Sequence, residues 1–377
     1  MSLLLLFMLL PLPCYALDVS ASSAILMEQK SHRVLFEKNA HQKMGMASTT
    51  KIMTAILAIE NVDLNAVATV SANAAGVEGS SMYLSVGEQI KVEDLLYGLM
   101  LNSGNDAAIA IAECVGGDVP TFCKMMNEKA REIGAKNTHF TNPNGLADDE
   151  HYTTAYDLAL ISCYALDNET FAEIVKTKKK SIPWEAKGYN RQLTNHNKLL
   201  SLYEGSDGVK TGYTKSTGRT LVSSATRNDF QAVAVTLNAP NDWNDHTNML
   251  DYAFENYAVE EAVGQGRYVK TIPVKNGIED SVGVRTGENL RLFGKKGEQQ
   301  PFDTNLILPE EVQAPVYEGD AIGKMQILIN GEVCDECDLY LDQTVLTRPR
   351  SGYTENCQKI IKIWLQFFRR EDIIDTI

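Results

Sequence analysis

The chain has 377 residues, with 35 Lys and Arg against 49 Asp and Glu, for a formal net charge of −14. Its length allows two ordinary domains with sizeable cores, and a composition of 44% hydrophobic and 22% charged residues is that of a globular protein. So acidic a chain lacks the basic footprint that phosphate binding needs, which argues against nucleic acid as a partner.

The first sixteen residues, MSLLLLFMLLPLPCYA, carry no charged side chain and are rich in Leu. The run is too short to anchor a folded protein across a bilayer. It reads as a secretory signal over residues 1–16, with an apolar core at Leu3–Leu12 and cleavage near Ala16. The usual positive start is missing, since only the amino terminus supplies charge there, and Cys14 follows a proline, a weak setting for lipid attachment. Export is expected.

Ile25–Met27 and Val34–Phe36 flank EQKSHR, a hairpin turning near Lys30–His32. Ile52, Met53, Ile56, Leu57 and Ile59 make Thr50–Ile59 a helix apolar around most of its circumference, hence a central one. The periodicity also predicts helices over Val92–Met100, Ala107–Val115 and Thr121–Ile133. Asn142–Gly145 (NPNG) is turn chemistry, and Thr154-Ala-Tyr-Asp157 has capping-box spacing ahead of LALISCYAL. TLVSSATR and FQAVAVTLNA are strand-like, and MLDYAFENYAV is helical. Strands, a helix cluster, more strands and a closing helix compose an α+β domain over residues 17–257.

Between residues 258 and 347 helix signals nearly vanish. RYVKTIPV, SVGVRTG, NLRLFG and KMQILINGEV are short strands, with Asn-Gly turns at Asn276–Gly277 and Asn330–Gly331, so a small all-β domain is expected. In the tail, residues 348–377, Ile360, Ile361, Trp364, Leu365 and Phe368 share one helical face, with Lys359, Lys362, Gln366, Arg369 and Arg370 off it. The segment is too short and too charged to cross a bilayer. A basic amphipathic helix with Trp and Phe suits a membrane surface, the alternative being a helix packed on its own domain. Of the cysteines beyond Cys14, Cys114 and Cys123 fall in helical patterns as small core residues. Cys334-Asp-Glu-Cys337 lies between strand-like runs with no second pair or His beside it, which favours a local disulfide or two idle thiols over a metal or redox site.

Three short stretches carry the chemistry. In MASTTKIMTA, Ser48 and Lys51 are spaced to share a helix face. For Lys51 to take the Ser48 proton at neutral pH it must be uncharged, about three units below the ~10.4 of a free lysine. That is roughly 4–5 kcal/mol, which burial and a nearby cation can supply. LNSGNDAA puts Ser103 and Asn105 on a glycine turn between two helices, with Asp106 placed to cap the second. A hydroxyl there can relay a proton, and an amide can hold a substrate carbonyl. DGVKTGYT places Lys210-Thr211-Gly212 at the start of a strand: Lys210 as the second cation, Thr211 as a partner for a carboxylate, Gly212 as room for a substrate backbone along the strand edge. Each stretch alone is weak; the three in this order are strong.

MASTTKIMTA, LMLNSGNDAAIAIAE, TNPNGL and DGVKTGYT closely resemble segments of the D-alanyl-D-alanine carboxypeptidases of the low-molecular-mass penicillin-binding proteins, over about Ala24–Ala239. The β domain and the amphipathic tail extend the likeness to nearly the whole mature chain. The resemblance implies a β-lactamase/transpeptidase-like domain, an antiparallel sheet flanked by helices, followed by the β domain and the tail. It implies Ser48 as the acylated nucleophile, Lys51 as its base, Ser103 and Asn105 as assistants, and Lys210, Thr211 and Gly212 as the site for the donor's terminal carboxylate. Backbone N–H groups of Ser48 and Tyr213 would form the oxyanion hole. The expected reaction is removal of the last D-alanine from peptidoglycan stem peptides ending in D-Ala-D-Ala, with β-lactams as covalent inhibitors and with no cofactor or metal. The expected place is the outer face of the cytoplasmic membrane.

LTNHNKLL resembles a stretch flanking the site, with His196 where relatives can carry another residue. A class A β-lactamase is a competing reading, but no Glu-x-x-x-Asn element stands between the second and third motifs. A catalytically dead wall-binding protein is another, and intact Ser48, Lys51 and Lys210 speak against it. The remaining histidines show no paired metal-ligand spacing, so a zinc carboxypeptidase has no support.

Overall fold

The structure, a computed structural model, describes residues 17–184, 187–349 and 351–371, so the expected signal segment lies outside the described residues. The chain divides into two compact units, Met1–Ala258 and Val259–Ile377.

The first unit opens with β1 (Ser23–Glu28) and β2 (Val34–Lys38), the hairpin expected around Lys30–His32. A 3-10 turn, Ala47–Thr50, leads into α1 (Lys51–Asn61). Then come β3 (Val67–Thr69), β4 (Gln89–Lys91), α2 (Val92–Leu101), α3 (Asn105–Gly116), α4 (Val119–Ile133), α5 (Ala155–Leu166) and α6 (Glu169–Lys176). A second hairpin pairs β5 (Lys179–Ile182) with β6 (Arg191–Thr194); α7 (Leu199–Leu202), β7 (Ser206–Thr214), β8 (Gly218–Arg227), β9 (Phe230–Leu237) and α8 (Asp242–Asn256) complete the unit.

The main sheet is antiparallel, in the order β2-β1-β9-β8-β7, which leaves β7 as an edge. Every residue of β1 is buried, and so is nearly all of β9, because helices cover both faces. That is why these strands read as continuous apolar runs without alternation. Among the helices α1 is central, with Lys51–Ala58 buried throughout. Thr154 caps α5 as its spacing predicts, its hydroxyl accepting the Asp157 N–H at 3.0 Å. The box is not reciprocal, because the Asp157 carboxylate accepts instead from the Asn137 N–H and the Thr138 hydroxyl.

Four expectations need correction. Helix α8 begins at Asp242, ahead of MLDYAFE, and ends at Asn256 where the chain turns extended. Its first turns hide their signal because Asp245 accepts from Ser20, and His246, fully buried, bonds Ser223 and Thr236 of the sheet. Lys210–Gly212 sit inside β7, not at its start. The turn-like Asp207 before them is held by Lys176 and Thr226. Cys114 is exposed, on the open side of α3, while Cys123 is buried as expected. Asp106 does not cap α3; its role is described with the site.

The second unit is built of β10 (Tyr257–Val263), β11 (Tyr268–Lys275), β12 (Ser281–Thr286), β13 (Leu290–Lys295), β14 (Asp303–Ile307), β15 (Val312–Gln313), β16 (Ala321–Ile329) and β17 (Glu332–Leu341). Its larger sheet runs β14-β16-β17-β12-β11-β15 over a core that includes Ile272, Val284, Leu290, Ile327 and Leu339. Asn330 (φ 53°) and Gly331 (φ 85°) turn β16 into β17, the left-handed pair that an Asn-Gly hairpin uses. On β17 Cys334 is exposed and Cys337 buried, and both are free thiols, so the local disulfide is not formed. The last described element is α9 (Ser351–Glu371), where Ile360, Ile361, Trp364 and Leu365 are 56–62% exposed. Among the described residues no helix is long and apolar enough to cross a membrane.

Candidate active site

The 3-10 turn places Ser48 just ahead of the first residue of α1, Lys51. The Lys51 amine, fully buried, lies 3.0 Å from Ser48 Oγ, 2.7 Å from Asn105 Oδ1 and 2.5 Å from the Asn144 carbonyl. Ser48 itself is only half-buried, so its hydroxyl can be reached from solvent. Burial drives the Lys51 pKa well below the ordinary lysine value, and the charge of Lys210 adds to the effect against the opposing pull of Asp106.

Lys210, 1% exposed, reaches under the sheet edge to donate to Ser103 Oγ at 3.1 Å and to the Thr211 carbonyl at 2.9 Å. Burial brings its pKa down to about 7. The edge strand presses on the nucleophile's turn. A Cβ on Gly212 would fall 2.3 Å from Thr220 Oγ1 and 3.0 Å from Ser48 N, so glycine is required there by the protein's own packing. Thr220 in turn donates to the Met46 carbonyl at 3.1 Å. Thr211 and Gly212 are half-buried along the free edge of β7, and Tyr213 stands at the rim, 64% exposed, with the Arg219 guanidinium 6.0 Å from its ring.

The three sequence stretches therefore meet in one cluster: Ser48–Lys51–Asn105 on one side, Ser103–Lys210 on the other. Asn105 Nδ2 donates to the Glu78 carbonyl at 2.5 Å, which orients the amide with its oxygen toward Lys51. His196 is exposed at the cluster's border; partial burial and then the charge of Lys210 lower its pKa.

Several residues that hold this geometry carry no local signal. Asp106 is buried, and its carboxylate accepts the N–H groups of Met82 (3.1 Å), Leu84 (3.0 Å) and Ala107 (2.9 Å) and the Ser81 hydroxyl (2.6 Å), so it clamps a loop while Gly104 occupies the cap position. His151 Nδ1 accepts the Thr141 N–H at 3.1 Å, which leaves Nε2 as the donor to Thr50 Oγ1 at 2.8 Å. Thr50 then donates to the Ala47 carbonyl at 2.8 Å, bracing the residue before Ser48. Burial keeps the His151 pKa down to about 4, so the ring is neutral. Gly145 (φ 86°) packs on the same carbonyl; a Cβ there would lie 1.9 Å from Ala47 O. Only NPNG hinted at any of this.

A half-open hydroxyl, a buried amine beside it and a second buried cation at a strand edge suit acyl transfer from a carboxylate-ended peptide. The comparisons agree. A family model described as D-alanyl-D-alanine carboxypeptidase matches residues 12–241, and one described as penicillin-binding protein 5, C-terminal domain, matches residues 257–347. The chain is 33% identical over 356 residues to D-alanyl-D-alanine carboxypeptidase DacF of Bacillus subtilis (strain 168), covering 92% of this chain and 90% of that protein. To DacC of Escherichia coli (strain K12), also a D-alanyl-D-alanine carboxypeptidase, it is 31% identical over 345 residues, with 87% and 85% covered. Penicillin-binding protein 5 from Haemophilus influenzae superposes with a TM-score of 0.64 at 28% identity, covering 87% of this chain and 98% of that one.

Proposed function

The chain belongs to the D-alanyl-D-alanine carboxypeptidase family of penicillin-binding proteins, and from that premise we propose how its residues divide the work. The activity is that of a serine-type D-Ala-D-Ala carboxypeptidase, a hydrolase acting on peptidoglycan stem peptides. Ser48 Oγ attacks the carbonyl between the last two D-alanines while its proton passes to Lys51 Nζ. The developing oxyanion takes the N–H groups of Ser48 and Tyr213. Collapse breaks the peptide bond, the leaving amine regains a proton with Ser103 as relay, and D-alanine departs; water then hydrolyses the Ser48 ester. Lys210 and Thr211 hold the terminal carboxylate beside Gly212, and the Asn105 amide helps fix the donor. One observation carries this reading: the fully buried Lys51 amine lies 3.0 Å from the Ser48 hydroxyl.

Mass spectrometry after exposure to penicillin tests it. A single adduct on Ser48 that turns over slowly, lost together with D-alanine release in Ser48→Ala, is the expected result. An adduct elsewhere, or D-alanine still released by Ser48→Ala, would refute the assignment. Rapid multiple turnover of penicillin would instead favour a β-lactamase.

The family acts on the cell wall, outside the cytoplasm. The finer proposal is export with cleavage near Ala16 and attachment of α9 to the outer face of the cytoplasmic membrane. Its support is the exposed row of Ile360, Ile361, Trp364 and Leu365, with Lys359 and Lys362 also exposed; Phe368, Arg369 and Arg370 have side chains outside the described residues. Deleting the residues after Thr354 is expected to leave the enzyme in the soluble fraction with its activity on a soluble peptide intact. Truncated protein that still sediments with membranes at high salt would defeat the anchor.

A further inference from the structure

Left-handed backbone is tolerated by Asn, Asp and His but costs most other side chains energy, and such strain gathers at functional sites. Apart from Asn, Asp, His and Gly, three residues among the described residues hold a positive φ: Ala47 at 47°, Ser103 at 58° and Tyr83 at 61°. Ala47 precedes the nucleophile, and Ser103 opens the Ser-x-Asn turn. Tyr83 is the third, and nothing so far gives it a task.

Its backbone is locked from every side. The N–H groups of its neighbours Met82 and Leu84 end on the buried carboxylate of Asp106, and its own N–H goes to Ser81 Oγ at 2.8 Å. Its carbonyl accepts from Arg191 Nη2 at 3.2 Å, and that buried guanidinium is paired with Glu88 through bonds of 2.6 and 2.8 Å. The same loop supplies the Glu78 and Ser80 carbonyls that receive Asn105 Nδ2 and the Asn105 N–H. All this polar structure holds an aromatic ring that is 72% exposed and so gains little from its own protein. A buried ring would offset its strain by packing; this one does not.

We propose that Tyr83 is a specificity-determining residue whose ring packs against the aliphatic part of the stem peptide on the amino side of the D-alanine pair. This rests on the site assignment proposed above. The carboxylate end of the donor is taken by Lys210–Gly212 and the scissile carbonyl by Ser48, so the segment left to recognise is the one upstream. Tyr83 hangs from a different arm than β7, the one that also holds Asn105. An amphipathic ring suits a peptide stem in which aliphatic side chains alternate with amide groups.

The test is Tyr83→Gly, since glycine accepts this backbone without a Cβ penalty. Its melting temperature should equal or exceed that of the parent. The ratio of kcat/KM for a stem pentapeptide over that for an N-acyl-D-Ala-D-Ala dipeptide should fall about tenfold, a loss typical of one hydrophobic contact. Tyr83→Phe should keep the ratio. A ratio unchanged in Tyr83→Gly overturns the proposal, as does a marked fall in melting temperature, which would show the ring serving the fold. If the parent protein hydrolyses neither donor, it is the site assignment that fails.

Discussion

Replacing Lys51 with arginine is expected to slow acylation of Ser48, by peptide or by penicillin, at least about a thousandfold, within the range lost when a general base is removed. The amine has three oxygens around it, and two of them, Asn105 Oδ1 and the Asn144 carbonyl, can only accept. A neutral amine has two N–H groups and one lone pair. The two acceptors take the N–H groups, which leaves the lone pair facing Ser48 Oγ, whose proton it then receives. The coordination shell thus selects the reactive orientation, as burial and the Lys210 charge select the neutral form. Arginine brings a fixed positive charge and N–H donors but has no lone pair to offer at any working pH. Stopped-flow binding of penicillin, with a thermal melt as folding control, measures the effect. A folded Lys51→Arg protein that acylates at the parental rate would move the base to another group.

That the motif trio could be read from sequence follows from its chemistry being local. Ser48 and Lys51 meet because a helix brings them together, and Ser103 and Asn105 because a glycine turn does. The supports were hidden because their partners are remote. Asp106 binds groups up to 25 residues upstream, so it looked like the cap that its neighbourhood suggests. His151 reaches Thr50 across 101 residues, and no spacing rule covers that. Burial decided the legibility of the fold in the same way. Helix α1 and strands β1 and β9, enclosed on all sides, announce themselves as apolar runs. The β5–β6 hairpin does not, because KKSI and RQLT keep polar side chains on a half-exposed surface. The full length of β7 is masked by Ser206-Asp-Gly208, turn-like residues that pairing with Ala225 and Ser224 of β8 draws into the sheet.

Lys210→Met should separate stability from activity, raising one as it removes the other. An unfolded lysine titrates near ~10.4, whereas the folded site holds Lys210 at about 7. Between those values the unfolded chain binds a proton that the folded protein has released, so stability rises with pH across the window. Below about 7 both states are protonated, and the folded protein bears the whole cost of an ammonium without water around it. The gap corresponds to roughly 4–5 kcal/mol at most. Loss of the bonds to Ser103 Oγ and the Thr211 carbonyl offsets part of it, so a net gain of about 1–3 kcal/mol is expected at pH 7 for an uncharged side chain of similar length. The gain should vanish and reverse near pH 10, where the parent amine is neutral as well and still keeps the two bonds that methionine lacks. Over the same comparison kcat/KM for a carboxylate-ended donor should fall roughly 10²–10³-fold, the loss of a buried charge-assisted contact. Urea melts at the two pH values, alongside peptide hydrolysis, decide the matter. A Met variant less stable than its parent at pH 7, or equally active, would mean that the buried charge is held for the fold and not for the donor's carboxylate.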